Sequence, residues 1–231
     1  KKEQVSDEYR QEASAVKAAM KIIQSPYQLT VAAIIGLTMM TTTFTDYQFK
    51  ALAFDAYPAK SDLTSFMGTF YAGISLASLG IQVLLSTQII KRLGLTGAVL
   101  SRPVGMMIGA ILMAVEPVLA SVVILNGVDG ATRYSIDKTG RELLFLPLSQ
   151  NVKEQTKIFI DIFVDRFSRG LGGVLLLGFI AVLNWSVYLL TYAVITLLLV
   201  WIVLGIKARR GYVNKFRHSV QKQLIGTDSI A

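Results

Sequence analysis

Between Gly127 and Gly173 the chain reads GVDGATRYSIDKTGRELLFLPLSQNVKEQTKIFIDIFVDRFSRGLGG. This stretch sets Asp129, Arg133, Asp137, Lys138, Arg141, Asp161, Asp165, Arg166 and Arg169 between two strongly apolar runs. A charge at membrane depth costs a few kcal/mol, so it normally faces a protein interior or a water-filled path. Asp129, Arg133, Asp137 and Arg141 recur every four residues and form one helical stripe of alternating sign. Asp161, Asp165 and Arg169 repeat that spacing on a later segment. Guanidinium groups grip phosphate in pairs of hydrogen bonds. Arg133, Lys138 and Arg166 are therefore candidates for holding an anion such as a nucleotide, with Asp161 and Asp165 holding these cations when the site is empty. Asp129, Asp137, Arg141, Asp161, Asp165 and Arg169 suit ion pairs that form in one conformation and open in another. A purely structural network is the competing reading for each of them.

Three further residues join the candidates. Asp46 and Lys50, in TTTFTDYQFK, share a helix face. They read either as an interfacial pair with a snorkelling lysine or as substrate contacts. Arg102, alone among apolar neighbours, either reaches the membrane surface or faces an interior carboxylate as a gating partner. Phe159, Phe163 and Phe167 line one face and read as packing or lipid contacts rather than as a nucleobase platform. Enzymatic signatures do not appear: there is no GxxxxGK[ST], HExxH or GxSxG. With no cysteine and a single histidine, His218, in a polar tail, no cofactor or metal is expected and the chain does not read as an enzyme.

The elements that position these residues are membrane helices. Of 231 residues, 53% are hydrophobic and 16% charged, against about a quarter charged in soluble domains. Tyr27–Thr45, Leu63–Ile90 and Ser186–Ile206 carry no charge over 19, 28 and 21 residues. Each is long enough for a hydrocarbon core of roughly 30 Å. The apolar periods predict six transmembrane helices, at about 27–49, 63–90 and 95–115, a fourth that starts at Pro117, is apolar to Leu125 and then turns polar, and two more at about 155–182 and 186–206. The chain is thus an all-α polytopic membrane protein. Residues 1–25 read as an amphipathic helix on the membrane surface or a solvated linker, residues 26–206 as the bundle, and residues 207–231 as a basic tail. The chain does not begin with methionine and is read as one piece of a longer protein.

The net charge of +8 is explained by basic loops on the inner side rather than by nucleic acid. With both termini inside, Lys91, Arg92, Lys153, Lys157 and the tail share the cytoplasmic face, in plasma, inner or organelle membrane. The turn around Pro147 makes the fourth and fifth helices neighbours, so their charged stripes are expected to meet.

The segment DGATRYSIDKTGRELLFLPL, with SPYQL and TDYQFK near the start, resembles the nucleotide transporter (ATP:ADP antiporter) family of plastids and intracellular bacteria. It also resembles bacterial relatives in which the same membrane domain is joined to helical repeats or a cyclic-nucleotide module. The resemblance runs from about Ser25 to Arg210 and matches the second half of those proteins. It implies half of a major-facilitator-type fold, a second six-helix half or other membrane subunits as partners within the bilayer, and exchange of nucleotides or a related organic anion by alternating access. The alternative it leaves open is a half-carrier that no longer transports and serves as an accessory subunit.

Overall fold

The computed structural model describes residues 25–148 and 150–228, and every regular element among them is helical. The helix expected over residues 1–25 lies outside the described residues but for its last position. Helix α1 (Pro26–Ala56) opens with proline in its first turn, where the missing N–H costs nothing. Helix α2 (Lys60–Gly80) continues through a π turn, Ile81–Leu85, into α3 (Ser86–Val115). Gly94 breaks α3 with φ 60° and ψ −155°, a conformation open essentially to glycine alone. The second apolar segment therefore ends there, past the expected Ile90, and the third begins. Helix α4 (Leu119–Thr132), a π turn (Arg133–Asp137) and α5 (Lys138–Leu144) form the fourth segment. Helix α6 (Gln150–Phe159), a π turn (Ile160–Val164), α7 (Asp165–Leu177) and a last π turn (Gly178–Val182) form the fifth. Asn184, at φ 49°, turns the chain toward α8 (Leu190–Asp228).

Among the described residues, four helices are long and apolar enough to cross a bilayer: Pro26–Ala56, Lys60–Leu84, Gly94–Val115 and Leu190–Tyr212. The protein is an all-α polytopic membrane protein. The two remaining segments are those broken by π turns and carrying the charged stripes. Boundaries shift in small ways. The fourth segment starts at Leu119 rather than Pro117, because Val118 is extended. The fifth starts at Gln150, and α8 runs without interruption across the boundary expected at residue 206.

Helix α1 is the hub, packed against α4, α7 and α8, while α3 packs against α4 and α8. Val31, Ile34, Ile35, Phe44, Met106, Leu125, Leu198 and Trp201 fill the centre. In lipid there is no hydrophobic gain from bringing helices together, so close fit and hydrogen bonds hold them. Gly109 shows the fit: a Cβ there would sit 2.6 Å from the Cα of Leu125, so only glycine lets α3 and α4 come this close. The hydrogen bonds start from α1. The Tyr27 hydroxyl donates to the Leu144 carbonyl at 2.6 Å, and the Gln28 amide to Thr156 at 3.1 Å. The Gln48 amide donates to the Val187 carbonyl and the Thr191 hydroxyl, both at 2.9 Å. The polar residues of SPYQL and TDYQFK thus tie both ends of α1 to three other segments.

Candidate functional site

Arg102 lies eight residues beyond the Gly94 break, and none of its surface is exposed. It does not snorkel. Its Nε and one terminal nitrogen donate to Asp129 Oδ1 at 2.9 and 2.7 Å, and the other terminal nitrogen to Asp137 Oδ2 at 2.7 Å. The Thr42 hydroxyl accepts a further bond at 3.0 Å, and the indole of Trp201 faces the guanidinium at 5.6 Å. Helices α1, α3, α4 and α8 thus converge on one side chain.

The fourth segment folds to meet it because of its π turn. On a regular α-helix, residues eight apart point about 80° away from each other. A π turn takes up one extra residue. Asp129 and Asp137 then behave as residues seven apart, within about 20° of alignment, and both reach Arg102. Each carboxylate holds a second cation from its own helix. Arg133 bonds to Asp129 Oδ2, and Arg141 donates to Asp137 Oδ2 from Nε at 3.0 Å and from a terminal nitrogen at 2.7 Å. The result is a chain of five charges, Arg133–Asp129–Arg102–Asp137–Arg141. Its middle is buried, and the two outer guanidiniums are about a quarter exposed. Three cations against two anions leave one positive charge over.

Asp46 adds a carboxylate beside this chain. It accepts a hydrogen bond from the Asn126 amide at 3.0 Å and lies in the electrostatic field of Arg133. Arg133 keeps one buried donor, Nε, without a hydrogen bond.

The structure changes how the other candidates are arranged. The expected meeting of the fourth and fifth stripes does not occur along their length: the fourth pairs with Arg102 of the third. The fifth lies instead against α1. Gly172 faces the Met40 backbone, where a Cβ would approach to 3.3 Å, and Gly36 faces Ser168. The fourth and fifth segments join only near their shared turn. Lys157 pairs there with Glu142, and Asp161 lies in the field of Lys157 and Arg141. Asp165 pairs with Arg169 on its own helix at 2.9 Å, with the arginine half exposed. Arg166, Lys138 and Lys50 are exposed and stand apart from the Arg102 cluster. Asp46 and Arg133 are thus the two proposed substrate contacts that come together. Thr42, Asn126 and Trp201 escaped the sequence reading. A polar residue within an apolar helix was the available signal for the first two, and nothing in the sequence marked Trp201.

Residues 1–212 match the family described as TLC ATP/ADP transporter. The ADP,ATP carrier protein 1 of Chlamydia muridarum is 23% identical over 212 residues, covering 82% of this chain and 40% of its own length. The protein of the same name in Chlamydia trachomatis matches to the same extent. The ADP,ATP carrier protein 3 of Rickettsia conorii is 21% identical over 226 residues, 87% of this chain and 44% of that protein. The chain therefore spans about two fifths of the length of these relatives. No solved structure matches it. The family match covers nearly the whole sequence, and the chain belongs to the TLC ATP/ADP transporter family.

Proposed function

We propose that this chain supplies one helical half of a carrier that exchanges adenine nucleotides across a membrane, and that Arg133 is its principal anion contact. The relatives are ADP,ATP carriers, which supports nucleotides as the class of substrate. The observation that carries the reading is the way Arg133 is held. Asp129, its partner, already receives two bonds from Arg102 on its other oxygen. Arg133 can therefore turn to a phosphate without stranding a buried carboxylate, and its Nε is already without a protein acceptor. Removing the sole partner of a buried charge would cost about 3–5 kcal/mol; here the fixed Arg102 keeps that cost away. Arg141 stands in the same relation to Asp137 and forms the second contact.

Alternating access requires a second set of helices facing the first. The segments with most side chain left open are the second and the fifth. Leu76, Leu79 and Val83 on one, and Phe163, Phe167 and Val174 on the other, are exposed. The partner half seats against these two, in keeping with a major-facilitator-type arrangement of six crossings, both termini on the inner side. Gating falls to the pair near the shared turn, Lys157–Glu142, with Asp161 close by.

The test is uptake of labelled ATP into liposomes preloaded with ADP, using the protein purified together with its partner half and the same assembly carrying Arg133→Ala or Arg141→Ala. Exchange is expected to fall at least tenfold in Arg133→Ala, with thermal stability retained. A folded Arg133→Ala protein that exchanges at the normal rate would overturn the assignment. Absence of exchange in the normal protein, together with firm co-purification of other membrane subunits, would favour the accessory role instead.

A further inference from the structure

We propose that Asp46, Asn126 and Tyr71 form a second subsite beside Arg133, one that accepts the hydrogen-bond donors of the substrate: neighbouring sugar hydroxyls or an amino group on the base. The inference rests on the anion reading of Arg133 given above. Asp46 directly follows the charge-free run of α1, and it forms no ion pair among the described residues. Lys50, one turn on, is exposed and does not pair with it. One carboxylate oxygen takes the Asn126 amide, and the other has no hydrogen bond. Asp46 is partly buried, and this second oxygen is open to a donor supplied by a ligand.

The surroundings fix how a ligand would lie. Asn126, Asp129 and Arg133 fall at i, i+3 and i+7, on one face of the fourth segment. Asp46 faces this row from α1, at its Asn126 end, and Arg133 stands at the other. Tyr71 borders the same space from α2, within the field of both Asp46 and Arg133, and is about half exposed. Its ring rests edge-on against Phe49 at 6.4 Å and against Phe70 at 5.5 Å. Helix α2 is held close by contacts at two glycines of the fourth segment, Phe70 on Gly127 and Ile74 on Gly130.

The subsite therefore has a cation at one end, an acceptor-only group at the other and an aromatic wall between. A phosphate is attracted to Arg133 and repelled by Asp46, so an asymmetric ligand enters in one orientation. Ionised carboxylates accept and never donate, and adjacent hydroxyls of a ribose are a known match for them. A site built this way also discriminates, because a ligand without donors leaves the partly buried acceptor unmet.

The experiment compares dissociation constants of four probes, ATP, 2′,3′-dideoxy-ATP, inosine triphosphate and inorganic tripolyphosphate, for the normal protein and for Asp46→Asn, Asn126→Ala and Arg133→Gln. Asparagine keeps an acceptor for the Asn126 amide, so Asp46→Asn retains the fold. The normal protein is expected to bind ATP at least tenfold more tightly than tripolyphosphate. Asp46→Asn should weaken ATP at least tenfold while tripolyphosphate binding stays equal or tightens. Weaker binding of dideoxy-ATP assigns the donors to the sugar; weaker binding of inosine triphosphate assigns them to the base. Unchanged ATP affinity in Asp46→Asn, or equal binding of ATP, dideoxy-ATP and inosine triphosphate by the normal protein, overturns the subsite. Tripolyphosphate binding that is indifferent to Arg133→Gln overturns the anion reading separately.

Discussion

The fourth and fifth helical segments carry charges at the same four-residue spacing, yet they use them differently. Asp129 and Arg133 on the fourth are completed by a third group, Arg102, delivered from another helix and buried completely. Asp165 and Arg169 on the fifth pair only with each other, with the arginine half exposed. The first arrangement couples helices; the second decorates one. An i, i+4 pair on an open face contributes a few tenths of a kcal/mol. The same pair joined to a buried counter-charge becomes part of the packing between helices, and the member that cannot be spared is the shared one, Arg102. Spacing within one helix does not decide between these outcomes. The neighbouring helix does.

That contrast can be broken in steps. Replacing Arg102 with methionine should have the largest effect, about 3–5 kcal/mol, because it removes the buried partner that Asp129 and Asp137 share and leaves each with only a partly exposed arginine. Loss of folded protein, or a sharp fall in melting temperature in detergent, is the expected readout. Lysine at the same position should recover only part, since a single ammonium cannot reproduce the fork that serves Asp129, Asp137 and Thr42 together. Next, Gly130→Leu should cost roughly 1–3 kcal/mol by overpacking. A Cβ at Gly130 would already stand 2.8 Å from Ile74, so α2 must move away from the fourth segment. A cysteine cross-link between α2 and α4 would form more slowly in that variant. Smallest of all, Arg169→Gln should change stability by less than about 0.5 kcal/mol, since its pair is exposed. An Arg169→Gln protein as unstable as the Arg102→Met protein would erase the distinction between the two segments.

Much of this was legible in the sequence, and the limits have a physical reason. The charge-free runs marked the first, second and sixth helices, an apolar run with one arginine marked the third, and Pro26, Gly94 and Asn184 stand at or next to the breaks. The charged stretch from Asp129 to Arg169 was recognisable as the part under strain in a bilayer. What the residues could not tell was who pairs with whom. Helical period gives the face a side chain shares, not the helix opposite, so the fourth stripe was matched to the fifth by chain proximity. Gly36 and Gly172, which draw the fifth segment onto α1, carry no directional signal in the sequence. The π turn at Arg133–Asp137 was equally invisible, and it is what aligns two aspartates eight positions apart. Arg102 was seen as an arginine with two possible fates; only the converging helices decide its fate.

The most direct test of the account is a stability cycle on Arg102, Asp129 and Asp137. Melting temperatures are measured for the normal protein, for Arg102→Met, for Asp129→Asn/Asp137→Asn and for the combined triple variant. If Arg102 is held by these two carboxylates, the triple variant regains most of what Arg102→Met loses, because no fully buried charge remains and the partly exposed Arg133 and Arg141 can turn to water. A triple variant whose loss equals the sum of the separate losses would contradict the network on which the site is built.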